Sequence, residues 1–196
     1  MEVKNQVITM ANFASQKGWT PATAGNFSVR ATDGIAITAS GFDKGALQEE
    51  NILFVALDGQ VHGTNKPSAE TALHLALYRH NPGIHAIAHT HSLPVTVLSQ
   101  LAAEDTISFS NYEIAKAFPG IETHECDIQL PIFDNNQDIT KLAEEVLTRL
   151  QPNTLPVVVI RGHGIYVWGE STSNTLRYLE AIEFLFACEL AKRSYQ

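Results

Sequence analysis

The stretch Ala86-Ile87-Ala88-His89-Thr90-His91-Ser92 decides how the rest of the chain is read. An apolar run from Ile84 to Ala88 reads as a buried strand, and His89 and His91 stand at its end. Residues two apart in an extended strand point to the same face, so both imidazoles converge on one point. That is metal-ligand geometry, and a catalytic divalent ion commonly takes three protein ligands and keeps an open position. A third candidate follows the β-branched run Val157-Val158-Val159-Ile160. There Arg161-Gly162-His163-Gly164 places a histidine between two glycines at a strand end, where the backbone can turn sharply and the ring is uncrowded. The blander reading, a pair of half-exposed strand histidines, accounts for His89 and His91 but not for His163 with them.

Composition narrows what the site can serve. With 196 residues, 44% of them hydrophobic, the chain suits one globular domain over residues 1–196. A formal net charge of −8 argues against a nucleic-acid surface. It does not exclude an anionic substrate, which backbone amides and a few local cations can hold. Met1-Glu2-Val3-Lys4-Asn5-Gln6 lacks the basic-then-apolar pattern of a signal peptide, and no apolar run is long enough to cross a bilayer, so a cytoplasmic protein is expected. Cys126 and Cys188 stand alone, without metal-type spacing, and no disulfide is inferred. Cys188, in Phe184-Leu185-Phe186-Ala187-Cys188, reads as a small buried hydrophobe.

Working outward from the histidine strand, the spacing predicts an opening helix over about Val3–Lys17, ended by Gly18. Thr32-Asp33-Gly34 marks a hairpin between Phe27–Ala31 and Ile35–Ala39, and Asp58-Gly59 marks another between Ile52–Leu57 and Gln60–His62. A helix is expected from Ser68, as N-cap, to His80, stopped by Asn81-Pro82-Gly83. Further helices are expected over Pro94–Leu101, Tyr112–Ala117 and Ile139–Leu150, the last closed by Pro152. Strands are expected near Cys126–Leu130, at Val157–Ile160 and at Gly164–Trp168. Ser171, Thr172 or Ser173 can cap a long final helix whose face Leu176, Leu179, Ile182, Phe186, Leu190 is core. Early hairpins followed by interleaved helices, with no Gly-x-Gly-x-x-Gly, predict a layered α/β domain whose central sheet is mixed and largely antiparallel.

Three segment edges offer a place for an anion. Gly25-Asn26 enters one strand, Thr38-Ala39-Ser40-Gly41 leaves its partner, and Lys66-Pro67-Ser68 precedes a helix; each exposes backbone N–H groups or a hydroxyl. Any one alone is an ordinary loop. Glu70, in the first turn of the helix, reads either as a carboxylate placed near the helix N-terminus or as an acid/base beside the metal. His62, His74, His80, His85 and His124 read as structural or solvent-facing.

Gly25-Asn26-Phe27-Ser28, Thr38-Ala39-Ser40-Gly41, Lys66-Pro67-Ser68-Ala69-Glu70, His89-Thr90-His91-Ser92 and Arg161-Gly162-His163-Gly164, in this order, resemble the class II aldolase family of zinc-dependent sugar-phosphate enzymes. The likeness covers nearly the whole chain. It implies the layered class II aldolase-like fold, one Zn2+ per subunit on His89, His91 and His163, and Gly25, Asn26, Ser40, Gly41 and Ser68 near a substrate phosphate. It also implies a homotetramer with sites near subunit interfaces. Gly162-His163-Gly164-Ile165-Tyr166-Val167-Trp168-Gly169-Glu170 is especially similar to a branch that removes water from a methylthio-bearing ketopentose phosphate. That branch carries its acid/base glutamate in a segment like Asn111-Tyr112-Glu113-Ile114, which implies a catalytic Glu113 in a partly apolar pocket. The family's aldolases use instead the glutamate that matches Glu70, so aldol cleavage or epimerisation is the alternative. A non-catalytic interaction domain of the cytoskeletal kind is a third reading, disfavoured because all three histidines are present.

Overall fold

The computed structural model describes residues 2–151 and 154–195. Helix α1 (Val3–Gln16) buries Val7, Met10, Ala11 and Ala14, one face of the helical period. It ends as expected: Gly18, at a φ of 76°, and Trp19 return their N–H groups to the carbonyls of Ser15 and Ala14. Strands β1 (Asn26–Ala31) and β2 (Gly34–Thr38) form the first hairpin, and β3 (Ile52–Ala56) with β4 (Val61–His62) the second. Strand β5 (Ala86–Thr90) carries the histidine pair. It runs antiparallel to both β1 and β9 (Gly164–Gly169), in a register that sets His89 opposite Asn26 on one side and Tyr166 on the other. Strand β8 (Val157–Ile160) continues antiparallel to β9, β7 (Asp127–Phe133) is parallel to β8, and β6 (Thr106–Ser110) closes the edge. The described strands form one nine-stranded sheet, β4-β3-β2-β1-β5-β9-β8-β7-β6. It is mixed and largely antiparallel, as the pattern predicts.

Strand alternation divides the core in two. Phe27, Val29, Ala86, Ala88, Ile165 and Val167 pack against α1, α3 (Leu93–Leu101) and α5 (Thr172–Ser194). Ile35, Ile37, Ile87, Tyr166 and Trp168 pack on the opposite face against α2 (Thr71–His80) and α4 (Ile139–Arg149). Ser171 caps α5, taking the N–H of Asn174, and Leu179, Ile182 and Phe186 are buried while Leu176 and Leu190 are partly so. Among the described residues no helix is long and apolar enough to cross a membrane.

The structure departs from the sequence reading in several places. Helix α2 begins at Thr71 rather than Ser68. Ala39 bridges to Pro67, and the Ser40 N–H donates to the Lys66 carbonyl, so the chain is still sheet-bound when Ser68 is reached. Residues Glu113–Ala117 make a 3-10 turn, not an α-helix. Strand β6 was not anticipated, although Ile107 and Phe109 alternate with exposed polar residues. Cys188 is half-buried rather than core, and both cysteines are free. The helix stop assigned to Pro152 lies outside the described residues.

Gly164 shows how closely β9 approaches the end of β5. A Cβ there would collide with the carbonyl oxygen of Thr90 and reach the backbone of His91. Gly164→Ala is expected to lower stability by about 3 kcal/mol in urea unfolding, because backbone atoms must move. Gly120→Ala meets nothing within 4 Å; it should lose only the left-handed penalty of about 1–2 kcal/mol. Equal losses in the two variants would refute the close-approach argument.

Candidate metal centre

The four side chains Glu70, His89, His91 and His163 present ligand atoms that all lie within 4.8 Å of one another. Each arrives by a different route. His89 is the penultimate residue of β5 and His91 directly follows its last residue, Thr90, while the backbone N–H of His91 is tied to the Trp19 carbonyl. His163 sits in the turn between β8 and β9. Glu70 immediately precedes α2 and makes no side-chain cap for it, leaving its carboxylate to face the rings.

The donor chemistry of this set fits a divalent ion. His89 Nδ1 lies 2.8 Å from the Ile165 carbonyl, which can only accept, so Nδ1 carries the proton and Nε2 presents a lone pair. His163 Nδ1 lies 3.1 Å from Asn135 Oδ1, with the same consequence. The Nε2 atoms of His89 and His163 stand 2.7 and 3.1 Å from that of His91, and Glu70 Oε1 is 3.3 and 2.9 Å from the first two. Ligands about 2.0–2.1 Å from a tetrahedral ion stand roughly 3.3 Å apart, close to these separations. Lone pairs and a carboxylate gathered at such distances repel unless a cation lies among them.

The surroundings hold the cluster rigid. Tyr166 stacks on His89 with ring centroids 4.0 Å apart. Fully buried His74 bonds Ser28 through Nδ1 at 2.7 Å and Asn26 through Nε2, and the Asn26 amide donates to Glu70 Oε2. On the opposite face of the strand Thr90 donates to Glu183 Oε1 at 2.8 Å. Burial pushes the Glu183 carboxyl up to about 7, against the pull of the Ser92 and Thr90 hydroxyls. For Glu70, burial alone would raise the pKa. The neighbouring imidazoles of His89 and His163 outweigh it and keep the carboxyl well below the usual range. Burial and then the proximity of His89 and His163 pull His91 to about 3, and burial and then His89 pull His74 to about 3, with Glu70 opposing in each.

Gly25, Asn26, Ser40, Gly41 and Ser68, drawn from three separate segments, line one cavity of about 240 Å³ together with Glu70, Lys44 and His91. Gly25 is required by contact: a Cβ would stand 2.6 Å from the His89 carbonyl oxygen. A larger hollow of about 1120 Å³, beside β7 and the end of α4, is lined by none of these residues. Glu113 is not brought to the cluster within its own chain. Its side chain is 71% exposed and pairs with Lys116 and His124. The Lys116 hydrogen bond, against a small desolvation effect, holds it below the ordinary carboxylate value, so the apolar surroundings expected for it are absent in the single chain. The other histidines divide as expected: His85 bonds Gln6, His62 lies against Phe54, and His80 and His124 are exposed. Sequence reasoning missed Asn135, Glu183 and Lys44, which no local pattern marks. His74, read as structural or solvent-facing, is structural: it is fully buried and bonded to Ser28 and Asn26.

Comparison with known proteins places this geometry. The profile of the class II aldolase and adducin N-terminal domain family matches residues 5–190. Methylthioribulose-1-phosphate dehydratase of Sorangium cellulosum (strain So ce56) is 48% identical over 194 residues, 96% of this chain and 91% of that protein. The protein of that name from Azotobacter vinelandii is 46% identical over 198 residues, 100% and 96% of the two chains. The crystal structure of L-fuculose-1-phosphate aldolase from Thermus thermophilus has the same fold, with a TM-score of 0.80 at 24% identity and coverage of 99% and 96%.

The neutral buried histidines set a pH dependence. With His74 at about 3 in the folded chain, the unfolded chain takes up a proton near pH 6.5 that the folded one refuses. Stability is therefore complete above that pH and declines as pH falls, by up to about 1.4 kcal/mol per unit for a single such group. Urea midpoints of metal-free protein should drop between pH 6.5 and 4.5, and drop less in His74→Gln. An equal slope in the variant would remove His74 as a source.

Proposed function

The chain belongs to the class II aldolase and adducin N-terminal domain family, and on that premise we propose that it is a metal-dependent hydro-lyase. It dehydrates 5-methylthioribulose 1-phosphate to 2,3-diketo-5-methylthiopentyl 1-phosphate, a step of methionine salvage, in the cytoplasm. The observation that carries dehydration over aldol cleavage or epimerisation is the 48% and 46% identity to the two dehydratases, across 96% and 100% of this chain. The cluster alone serves any reaction in which charge develops beside a ketone.

His89, His91 and His163 would hold the ion, with Glu70 beside them, and a nitrogen-rich set of this kind suits one zinc per chain. Zinc, when bound there, supplies Lewis-acid polarisation of the substrate's carbonyl and neighbouring hydroxyl. Gly25, Asn26, Ser40, Gly41 and Ser68 take the phosphate end in their shared cavity. The C3 hydrogen is acidic only because the C2 carbonyl accepts the electrons released, and Glu70, whose carboxylate faces His89 and His163, takes it as base. The hydroxyl at C4 is a poor leaving group until an acid protonates it, and that role falls to Glu113. The C4–O bond then breaks with its electron pair, water departs, and the C3 enol tautomerises to the diketone.

Glu113 is exposed and outside the cluster of its own chain; in the homotetramer that the family resemblance implies, it would reach the site of a neighbouring copy. Burial there is the change that raises a carboxyl enough to serve as an acid near neutral pH.

Zinc-loaded protein given 5-methylthioribulose 1-phosphate should yield a product lighter by one water in mass spectrometry. Two fragments would assign the site to aldol cleavage with Glu70 as acid/base, and no product from fully loaded protein would remove the substrate assignment. Glu113→Gln should retain metal and lose turnover by about 100-fold or more; a variant as active as wild type would take Glu113 out of the reaction. His163→Ala should bind zinc far more weakly in chelator competition, and unchanged stoichiometric zinc would refute its role as third ligand.

A further inference from the structure

Lys44 is 2% exposed, an uncommon state for an ammonium group. Its Nζ donates to the carbonyl of Thr23 at 2.6 Å and to that of Phe42 at 2.8 Å. Both are neutral acceptors, so the charge is not cancelled at contact, and one of the three ammonium hydrogens remains. Lys44 lines the same cavity as Gly25, Ser40, Gly41 and Ser68. Burial lowers the tendency of Lys44 to stay charged, and the charges of Asp43 and Glu70 oppose this without offsetting it. Asp43 makes no hydrogen bond with the ammonium among the described residues and accepts the Gly45 N–H at 2.9 Å.

The segment Lys44 holds is strained. Ala22 and Thr23 have φ values of 50° and 66°, in the left-handed region that side chains avoid, a β-branched one most of all. Backbone in such a conformation persists only where its surroundings over-determine it, and it concentrates at ligand clamps. Here the strained carbonyl of Thr23 is fastened by a buried cation, and the chain continues through Gly25 into the cavity wall. A purely structural tie between two loops needs a donor but no charge. A cation in an acidic protein, beside a cavity rimmed by hydroxyl and backbone groups, has a second use.

We propose that Lys44 is the phosphate-positioning cation of this cavity: it locks Ala22 and Thr23 in their left-handed form and directs its remaining hydrogen to a phosphate monoester dianion. The proposal rests on reading the cavity as the place of the substrate's phosphate. A charge-assisted bond to phosphate is short and strong, and its loss is felt in binding rather than in the chemical step.

Inorganic phosphate is the probe. Binding of phosphate to the zinc-loaded wild type is measured by calorimetry and by competitive inhibition, alongside Lys44→Met, Lys44→Gln and Lys44→Arg. Both uncharged variants should bind phosphate roughly 10- to 100-fold more weakly, with KM for the phosphorylated substrate rising in parallel, kcat changed far less and zinc content unchanged. Lys44→Arg should recover most of the affinity. If Lys44→Met fails to melt cooperatively, Lys44→Gln, which keeps a polar donor without the charge, carries the comparison. Wild-type phosphate affinity in the uncharged variants would overturn the proposal. So would a wild type that dehydrates its substrate yet binds no phosphate, an outcome that leaves the dehydratase reading standing. Lys44-dependent phosphate binding in a protein that does not dehydrate the substrate would sink that reading and keep this one.

Discussion

Strand β5 is held in register from both sides, and the centre depends on that register. With His89 opposite Asn26 on β1 and Tyr166 on β9, its imidazole faces α2, and the Thr90 side chain faces α5. A slip of one residue would exchange the two faces. The histidines would then meet the apolar residues of α5, and Thr90 would point at Glu70. Ala86 and Ala88 pack on one face and the larger Ile87 on the other, so that slip would force a bulky side chain into space sized for alanine. The same packing that stabilises the fold therefore aims the ligands.

Around that strand the polar groups are numerous and mostly buried, which is unfavourable unless each finds a partner. The partners come in a chain: Asn26 joins Glu70 to His74, and His74 continues to Ser28, which also meets Tyr78. On the far face Glu183 takes the hydroxyl of Thr90. Such networks restrict rotamers, and restricted ligands lose less entropy when an ion binds. The depressed pKa values of His74 and His91 have the same origin, since an imidazole among other imidazoles and out of water stays neutral.

Much of this was legible in the chain. The two-residue spacing of His89 and His91 already states that they share a face, and a histidine between glycines at the end of another apolar strand already supplies a third ring. The hairpins at Asp33-Gly34 and Asp58-Gly59, the stop at Asn81-Pro82-Gly83 and the cap at Ser171 are local chemistry and sit where local chemistry puts them. The start of α2 was misplaced because the pairing of Lys66 and Pro67 with the end of β2 is non-local. Strand β6 was passed over because its outward face is polar, and five alternating residues at a sheet edge give a faint signal. Lys44 looked like any loop lysine, since burial of a charge is a property of what folds over it.

The sequence by itself determined which residues could be ligands, which face each strand residue would take, and where most elements would begin and end, because periodicity, turn residues and caps act within a few positions. It also contained the three loop edges that line one cavity without saying that they would meet. Only the tertiary structure decided that Glu70 turns into the imidazole cluster instead of capping its helix, that Lys44 is buried against Thr23, and that Glu113 stands exposed away from the cluster. Each of those outcomes depends on contacts between segments far apart in the chain, whose distances are set by the packed sheet and its two layers of helices rather than by neighbouring residues.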